Sequence, residues 1–474
     1  MELTQQFGTS AYSAQQRDNT VSISDLADSR INAHQLALAR LSKLIPRPTT
    51  IEETGLSESF LSDLVAKHIL DRGTLTIAEL STLMALAGAI IERVLNFMRE
   101  EARVEVRPRI GVQHTLSYAL TERGRTTALD AMMRSGYIGP APVPLKHYAQ
   151  IARAQTIHGK KISRSDMHSA FDDMVLEPAL IDKLGPSLNS GRAIFLYGSA
   201  GTGKTYVSQR LVRLFHDLAF VPHAIVIDDI VVQIFDHQLH KVISKNSDDE
   251  RLMLGKGHDP RFYLCERPVA ITGGELTGDM LEIRYDQAAR VYEAPLQLKA
   301  NNGIFIIDDM GRQRITPAEL FNRWIVPLEE KRDYLDLGFG KHFSVPFDVV
   351  LIFSTNIHPL ELADEAFLRR IGYKIEFKPL TRAAYTKIWN DSCREHRIIC
   401  EPGVLDFVLS DLHASNQVPL LPCHPRDLLG MAVDYATYSG EPHHVNESHL
   451  RWAWQNYFVS VQDYVDPTEN QRTN

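Results

Sequence analysis

Eight residues near the middle of the chain have the types and spacing of a phosphate-binding loop. In the stretch AIFLYGSAGTGKT, residues 193–205, an apolar run leads into Gly198, Ser199, Ala200, Gly201, Thr202, Gly203, Lys204 and Thr205. The glycines allow backbone N–H groups to face phosphate oxygens, the lysine reaches the β- and γ-phosphates, and the threonine hydroxyl ligates magnesium. Because YVSQRLVRLFHDL follows with helical spacing, the loop is predicted to join a strand to a helix N-terminus. We expect this segment to bind ATP with Mg²⁺.

Two later stretches each end an apolar run with paired aspartates, which is typical of a buried strand that delivers a carboxylate to magnesium. They are AIVIDDIVV, residues 224–232, and GIFIIDDMGR, residues 303–312. The residues after Asp229, IVVQIFDHQLHKVI, remain apolar with helical spacing, so Asp228 and Asp229 are predicted to cap a helix. After Asp309 the chain turns at once into the polar GRQRIT. We therefore predict that Asp308 is the magnesium ligand.

With these motifs in this order, residues 170–465 resemble the AAA+ ATPases, which are α/β P-loop NTPases with a helical lid. Three further stretches fall where that family has its later motifs: VVLIFSTN at 349–356, ADEAFLRR at 363–370 and HPRDLLGMAVDYA at 424–436. The resemblance implies that Asn356 positions the attacking water and that Arg369 or Arg370 is the arginine finger. It also implies that Arg426 reaches the γ-phosphate and that the strand carrying Asp308 lies beside the phosphate-loop strand. Taken singly, the asparagine could end a strand, and the arginines could be surface cations or a helix cap.

The residue after the metal-binding aspartate departs from the family's usual pattern. Most AAA+ proteins have a glutamate there, which orients the water, whereas this chain has Asp309. A carboxylate that is one methylene shorter can still accept a hydrogen bond from water. The resemblance thus implies catalysis by Asp309, Asn356, Lys204 and either Arg369 or Arg370, with slow turnover.

The N-terminal part predicts a compact unit of three helices and a β-hairpin. Helical spacing runs through SESFLSDLVAKHILDRG and AGAIIERVLNFMREEARV, and a capping box, Thr76 with Glu79, opens a helix between them. VEVRPR and LSYALTERGR read as the hairpin, so the unit resembles a winged helix-turn-helix. Over residues 51–134 there are 12 Asp/Glu and 10 Lys/Arg. DNA binding relies on neutralising phosphates, so we favour protein docking for this unit and keep DNA as the alternative.

The whole chain is thus predicted to have six parts. In order they are a partly disordered tail with one amphipathic helix (1–47), a small α+β winged-helix-like domain (48–140), a linker (141–169), the AAA+ nucleotide-binding core (170–376), a helical lid (377–465) and a short tail (466–474).

The composition indicates in which cellular compartment the protein acts. Of the 474 residues 44% are hydrophobic and 23% charged, and the net charge is −8. No apolar run reaches the length of a membrane span and the N-terminus is polar, so we expect no membrane insertion and a cytoplasmic protein. The four cysteines, Cys265, Cys393, Cys400 and Cys423, show no disulfide framework and fit a reducing compartment.

The stretch LEEKRDYLDLGFGKHFSVPFDVVLIF reads as a hairpin inserted before the strand that ends at Asn356. In layout it is similar to the pre-sensor-1-hairpin branch of AAA+ proteins, which includes chaperone-like ATPases. The front unit, GPAPVPL and DDMGRQ also resemble predicted bacterial ATPases with chaperone activity linked to Flp-type pilus assembly. These resemblances imply a homo-oligomeric ring, with a hexamer expected, that remodels a protein substrate. The alternatives are a DNA-associated ATPase of the helicase-loader or transposition type, and a nucleotide-switched scaffold.

Overall fold

The computed structural model describes residues 43–108, 116–159, 161–215, 217–243, 258–338, 340–441 and 443–458. Most of the tail predicted at 1–47, with its amphipathic helix, and all of the tail predicted at 466–474 lie outside this part of the chain. The helices are α1 Ile51–Thr54, α2 Glu58–Arg72, α3 Ile77–Met84, α4 Gly88–Glu100, α5 Glu122–Arg134, α6 Leu145–Ala154, α7 Arg164–Ala170, α8 Pro178–Ser190, α9 Lys204–Arg210, α10 Leu296–Lys299, α11 Pro317–Glu330, α12 Pro359–Leu362, α13 Glu365–Leu368, α14 Arg382–Glu395, α15 Val404–Phe407, α16 Cys423–Tyr438 and α17 Glu447–Tyr457.

The strands are β1 Leu75–Thr76, β2 Val104–Pro108, β3 Leu116–Leu120, β4 Val143–Pro144, β5 Ile194–Tyr197, β6 Leu218–Pro222, β7 Ala224–Ile227, β8 Ile230–Gln233, β9 Phe262–Glu266, β10 Val269–Thr272, β11 Arg284–Asp286, β12 Val291–Glu293, β13 Ile304–Ile307, β14 Arg332–Asp336, β15 His342–Pro346, β16 Val350–Thr355, β17 Tyr373–Glu376, β18 Ile399–Cys400 and β19 His444–Val445.

The N-terminal unit, residues 51–134, has its helices and hairpin in the predicted order. An antiparallel sheet of order β1-β3-β2 packs with α2, α3 and α4. The capping box at α3 is present, because Glu79 N donates to Thr76 Oγ1 at 3.2 Å and Thr76 N donates to the Glu79 carboxylate at 2.8 Å. Leu61, Leu80 and Val94 are fully buried between these elements. The amphipathic spacing of the helices therefore builds one apolar core here.

Among the described residues, no single helix has the length and apolar character that crossing a membrane requires. The helices α3 and α4 satisfy that criterion only when they are taken together, and the chain bends by 112° between them.

The central sheet of the larger part of the chain, residues 170–458, is parallel throughout. Its strand order is β10-β13-β16-β5-β17. Side chains alternate between its two faces: Phe195, Phe305 and Phe353 pack on one side, and Ile194, Ile306 and Ile352 on the other. Both faces are buried because the connections between parallel strands cross them. This sheet brings the carboxyl ends of β5, β13 and β16 to the same edge.

The strand that carries Asp308 does not lie beside the phosphate-loop strand, so that prediction is wrong. β13 pairs with β10 and β16, and it is β16 that pairs with β5. Strands two places apart in a sheet are separated by roughly 10 Å. Asp308 and the phosphate loop must therefore meet above the end of β16.

A second five-stranded sheet, of order β11-β12-β8-β7-β4, packs one face against the N-terminal unit and the other against α6 and the β14–β15 hairpin. Its strands β7 and β8 form an antiparallel hairpin whose two-residue turn is Asp228–Asp229, with φ of 45° and 67°. The prediction that these aspartates cap a helix is therefore wrong. A short apolar run such as IVVQIF suits either element, and its β-branched residues favour a strand.

Residues 141–169, which we expect to be a linker, contain β4, α6 and α7. β4 pairs with β7, and Tyr148 of α6 is buried and accepts a hydrogen bond from Asn301 at 2.7 Å. The end of this segment is tied to Asp348, which accepts from Thr156 Oγ1 at 2.6 Å and from Ile157 N at 2.9 Å. Asn302 Nδ2 also donates to Asp348, at 2.5 Å. This buried junction fixes the starts of β13 and β16.

Two further elements complete the larger part. β14 and β15 form the antiparallel hairpin predicted before β16. Beyond β17, α14 to α17 form a helical unit with its own core, in which Tyr385, Trp389 and Leu428 are buried. It lies where the lid is predicted and is called the lid below.

Candidate functional site

The loop between β5 and α9 has the backbone shape that its glycines predict. Gly203 precedes α9 with φ of 85°, which a residue with a side chain rarely adopts. A Cβ on Gly198 would lie 2.3 Å from the carbonyl oxygen of Phe377, so the loop passes too close to the end of β17 for any other residue. A glycine-rich loop that leads directly into a helix is the arrangement in which the first N–H groups of the helix can bind an anion.

Lys204 lies within this loop and is only 5% exposed. Its Nζ donates to the carbonyl oxygens of Gly198 and Ser199, at 2.9 and 2.8 Å, and to Asn356 Oδ1 at 2.7 Å. Burial lowers the pKa of Lys204, and the nearby carboxylates of Asp308 and Asp309 oppose that shift. The ammonium is thus held by neutral oxygen acceptors, which phosphate oxygens with a full charge can replace.

Thr205 and Asp308 meet across the end of β16, as the sheet order requires. Thr205 Oγ1 donates to Asp308 Oδ2 at 2.7 Å. Magnesium takes oxygen ligands in near-octahedral geometry at 2.0–2.1 Å, which places adjacent ligands roughly 2.9 Å apart. The hydroxyl and the carboxylate oxygen therefore have the chemistry and the spacing of two neighbouring magnesium ligands.

Asp309 and Asn356 lie in the same cluster. Asn356 Nδ2 donates to Asp309 Oδ1 at 3.3 Å while its Oδ1 accepts from Lys204, so the asparagine links the lysine to the second carboxylate. Asp309 has φ of 47°, a left-handed conformation that turns the chain sharply after β13. This turn lets consecutive aspartates serve different purposes, one toward Thr205 and one toward Asn356.

A residue that the sequence analysis missed holds this turn. Gln313 Nε2 donates to the carbonyl oxygens of Asp308 and Asp309, at 2.8 and 3.2 Å, and its Oε1 accepts from Gly311 N at 2.8 Å. The one available signal is an amide side chain a few residues after the paired aspartates. Gln313 is a positioning residue, since it satisfies backbone groups and does not point its amide at the loop.

The three arginines that the sequence singled out are not brought into this cluster. The Arg369 side chain is 81% exposed, and its nearest acidic partner is Glu365 at 3.8 Å. Arg370 is held by its own chain, with Nε 2.5 Å from Glu329 Oε1. Arg426 is exposed on the first turn of α16.

The lid nevertheless reaches the phosphate loop close to Arg426. A Cβ on Gly201 would lie 2.5 Å from Cys423 Sγ, so the start of α16 rests on the loop. Arg426 follows Cys423 by three residues and lies about one helical turn farther along α16. A small rotation of the lid therefore changes the distance between this guanidinium and the loop.

Asp228 and Asp229, the other aspartate pair, belong to a different part of the molecule. Their turn lies at the end of the β7–β8 hairpin and lines a cavity of about 580 Å³ together with Lys67, Tyr137 and Arg290. The residues lining that cavity include none from the phosphate loop. Of the two pairs, it is Asp308–Asp309 that the structure places at Thr205.

Comparisons with known proteins match part of the chain. A family model described as a domain of unknown function, DUF8689, matches residues 381–456, which lie within the predicted lid. The search of curated proteins gives no match.

Similar solved structures include a mutant of Thermotoga maritima RuvB, at 12% identity over 60% of this chain and 72% of that one, with a TM-score of 0.35. The Thermotoga maritima RuvB Holliday junction branch migration motor is similar at 13% identity over 67% and 73%, with a TM-score of 0.33. NtrX from Brucella abortus is similar at 10% identity over 72% and 62%, with a TM-score of 0.36. At these identities and TM-scores, the interpretation of the site rests on its own geometry.

Proposed function

We propose that this chain is an ATP-binding and ATP-hydrolysing AAA+ protein of the cytoplasm that remodels a protein substrate or assembly. The observation that supports this most strongly is the convergence of Lys204 and Thr205, from the loop after β5, with Asp308, Asp309 and Asn356 from the ends of β13 and β16. Each of these side chains lies within hydrogen-bonding distance of another member of the set. A lysine, a hydroxyl and a carboxylate in this arrangement are the groups that hold a nucleotide triphosphate with its metal.

Each residue has a distinct part in the proposed reaction. Lys204 exchanges its loop carbonyls for phosphate oxygens and stays anchored by Asn356. Thr205 and Asp308 would hold magnesium, which when bound neutralises charge on the phosphates. Asp309 accepts a hydrogen bond from the attacking water, and Asn356 fixes the direction of that carboxylate. The rate then depends on how well the shorter side chain of Asp309 reaches the water.

An arginine from a neighbouring copy of the chain completes the site in this proposal. Arg369 is free to act between subunits because it is largely exposed and has only a distant partner. Arg370 is engaged by Glu329 and by the carbonyl oxygen of Ala366, at 2.8 Å, within its own chain. We therefore assign the arginine finger to Arg369. An arginine acting across an interface requires an oligomer, for which we propose a ring, most simply a hexamer.

The surface of the N-terminal unit supports a protein substrate over DNA. Several of its arginines have acidic partners: Arg93 lies 3.4 Å from Glu52, Arg103 2.8 Å from Glu101, Arg107 2.5 Å from Glu105 and Arg134 2.6 Å from Asp63. These partners reduce the cationic charge that is available to neutralise DNA phosphates. On α5, Leu129 and Met133 are 49% and 68% exposed and lie on one face. That apolar strip suits contact with a protein, and the resemblance noted above makes a pilus assembly component a candidate substrate.

Two variants test the enzymatic part of the proposal. Lys204→Ala should abolish ATP binding, whereas Asp309→Asn should bind ATP with normal affinity and fail to hydrolyse it. Equilibrium binding and phosphate release are measured on the same preparations. Undiminished turnover in Asp309→Asn would remove the water-orienting role.

A DNA titration tests the choice of substrate class. With full-length protein and duplex DNA, we expect weak binding that changes little with salt. Tight binding whose logarithm falls steeply with the logarithm of salt concentration would instead favour the DNA-associated alternative.

A further inference from the structure

Two of the four cysteines lie side by side in the lid. Cys393 Sγ is 3.6 Å from Cys400 Sγ, and both side chains are partly buried at the edge of the lid core. Cys393 is on the last turn of α14 and Cys400 ends β18. The proposed nucleotide site uses neither residue.

The backbone on each side of this pair is fixed. Arg397, with φ of 54°, reverses the chain after α14, and Ile398 N donates to the carbonyl oxygen of Cys393 at 2.8 Å. On the other side, Ile399 N donates to the carbonyl oxygen of His443 and Glu401 N to that of Val445, at 2.8 and 3.0 Å. Since a disulfide needs sulfurs about 2.05 Å apart, the thiols must approach by roughly 1.5 Å. The proposal requires that side-chain rotation supplies this approach while α14 and β18 stay folded.

We propose that Cys393 and Cys400 form a reversible redox site, which a peroxide closes to a disulfide and a thiol reductant reopens. The Cys400 sulfur attacks one oxygen of the peroxide, the O–O bond breaks, and Cys400 becomes a sulfenic acid as the first water leaves. The Cys393 sulfur then attacks the Cys400 sulfur, the S–S bond forms, and the sulfenic oxygen leaves as a second water. Two thiols and one hydrogen peroxide thus give one disulfide and two waters.

The order of attack follows from the contacts of Cys400. Either sulfur can donate in the contact between Cys393 and Cys400, but Cys400 also accepts a side-chain hydrogen bond from Trp389. The contact with Cys393 and the hydrogen bond from Trp389 lower the pKa of Cys400, against the opposing effect of burial. The thiolate is the reactive form of a cysteine, so Cys400 reacts first and Cys393 resolves the intermediate.

The other cysteines lack this arrangement. Cys265 is fully buried on β9, and burial raises its pKa to about 12. Cys423 lies 3.8 Å from the Tyr457 hydroxyl. In the part of the chain that the structure describes, no group of three or more His, Cys, Asp or Glu side chains is placed to hold a metal ion. A thiol pair of this kind is therefore better suited to redox chemistry than to zinc.

The consequence is local and concerns the lid. A bond between these residues closes a short loop from the end of α14 to β18, and β18 pairs with β19. Oxidation would thus tie together two lid elements that are otherwise held by backbone hydrogen bonds. Cytoplasmic disulfides are usually transient and redox-sensing, which agrees with this use.

The test uses the full-length protein in the reduced state, treated with hydrogen peroxide, quenched and denatured for thiol titration. We expect the titre to fall from the four cysteines of the chain to two and to return to four with dithiothreitol. Trypsin separates Cys393, in residues 388–394, from Cys400, in residues 398–426, so mass spectrometry should find these two peptides linked. Because Cys423 is in the second peptide, the experiment is repeated with Cys423→Ser, where the link should persist.

Two variants distinguish this site from general oxidation. Cys393→Ser should leave Cys400 as a sulfenic acid that dimedone traps, and Cys400→Ser should give no trapped species at Cys393. A titre that stays at four, a link through Cys265 or Cys423, or direct overoxidation of Cys400 in the wild type would each overturn the proposal. None of these outcomes depends on whether the chain hydrolyses ATP.

Discussion

Replacing one aspartate of each pair decides which pair serves the metal. In Asp308→Asn the carboxylate that accepts from Thr205 Oγ1 at 2.7 Å becomes a neutral amide. In the proposed complex this carboxylate contacts magnesium instead. Taking the loss of that contact to cost about as much as a hydrogen bond to a charged group, about 1.5–3 kcal/mol, affinity for ATP in the presence of magnesium should fall about 10- to 150-fold. Without magnesium, affinity should stay the same or rise, since a negative charge near the phosphates has been removed.

Asp228→Asn is the matched control, because it makes the same chemical change in the other pair. Asparagine tolerates the left-handed conformation of the β7–β8 turn, so this variant should fold normally. Its affinity for ATP should stay within about twofold of wild type, because a change in the β7–β8 turn should not affect a separate site at the phosphate loop. The assay is equilibrium titration with a fluorescent ATP analogue, with and without magnesium. If Asp228→Asn lost the magnesium-dependent part of binding and Asp308→Asn kept it, the assignment of the pairs would be refuted.

Three other variants have expected outcomes. Arg369→Ala should lose ATP hydrolysis, and mixing it with Lys204→Ala should restore part of the activity. If activity returns only when Arg370→Ala is mixed with Lys204→Ala, the finger is Arg370. Asp348→Ala should lower the free energy of unfolding by about 3 kcal/mol or more, because several buried donors lose their acceptor; thermal unfolding beside the exposed Asp406→Ala checks this. Lys67→Met should unfold at a higher temperature than wild type at pH 7, because burial lowers the pKa of Lys67 from 10.5 to about 8. The folded state binds the proton of the Lys67 ammonium less tightly than the unfolded state does, so the stability of the wild type rises with pH between about 8 and 10.5. The difference in unfolding temperature between wild type and Lys67→Met should therefore shrink over that range.

The motifs could be predicted from the sequence where a residue type at a given spacing has a single structural role. Glycines at 198 and 203 before Lys204 and Thr205 specify a loop shape and a helix start, and the structure has both. The choice of Asp308 over Asp228 depended on the residues after each pair, and the structure places Asp308 at Thr205. The position of β13 was missed because strand order depends on contacts between distant segments, which the local pattern of IFII does not contain.

The second sheet was missed for a related reason. Its strands come from residues 143–144, 224–233 and 284–293, which no local pattern connects. The β7–β8 turn was also hard to predict, because two-residue hairpin turns usually contain glycine or asparagine and this one consists of two aspartates. Gln313 was missed because a single amide in a polar loop acts only through backbone groups that the fold brings to it.

The steady-state rate of ATP hydrolysis by purified full-length protein, measured over a range of protein concentrations with magnesium present, tests the proposed activity most directly. The proposed site predicts a turnover per chain that rises with concentration as subunits supply Arg369 to one another, and that disappears in Asp309→Asn. A protein that binds ATP through Lys204 yet shows no hydrolysis at any concentration would contradict the proposal and leave a nucleotide-switched scaffold in its place.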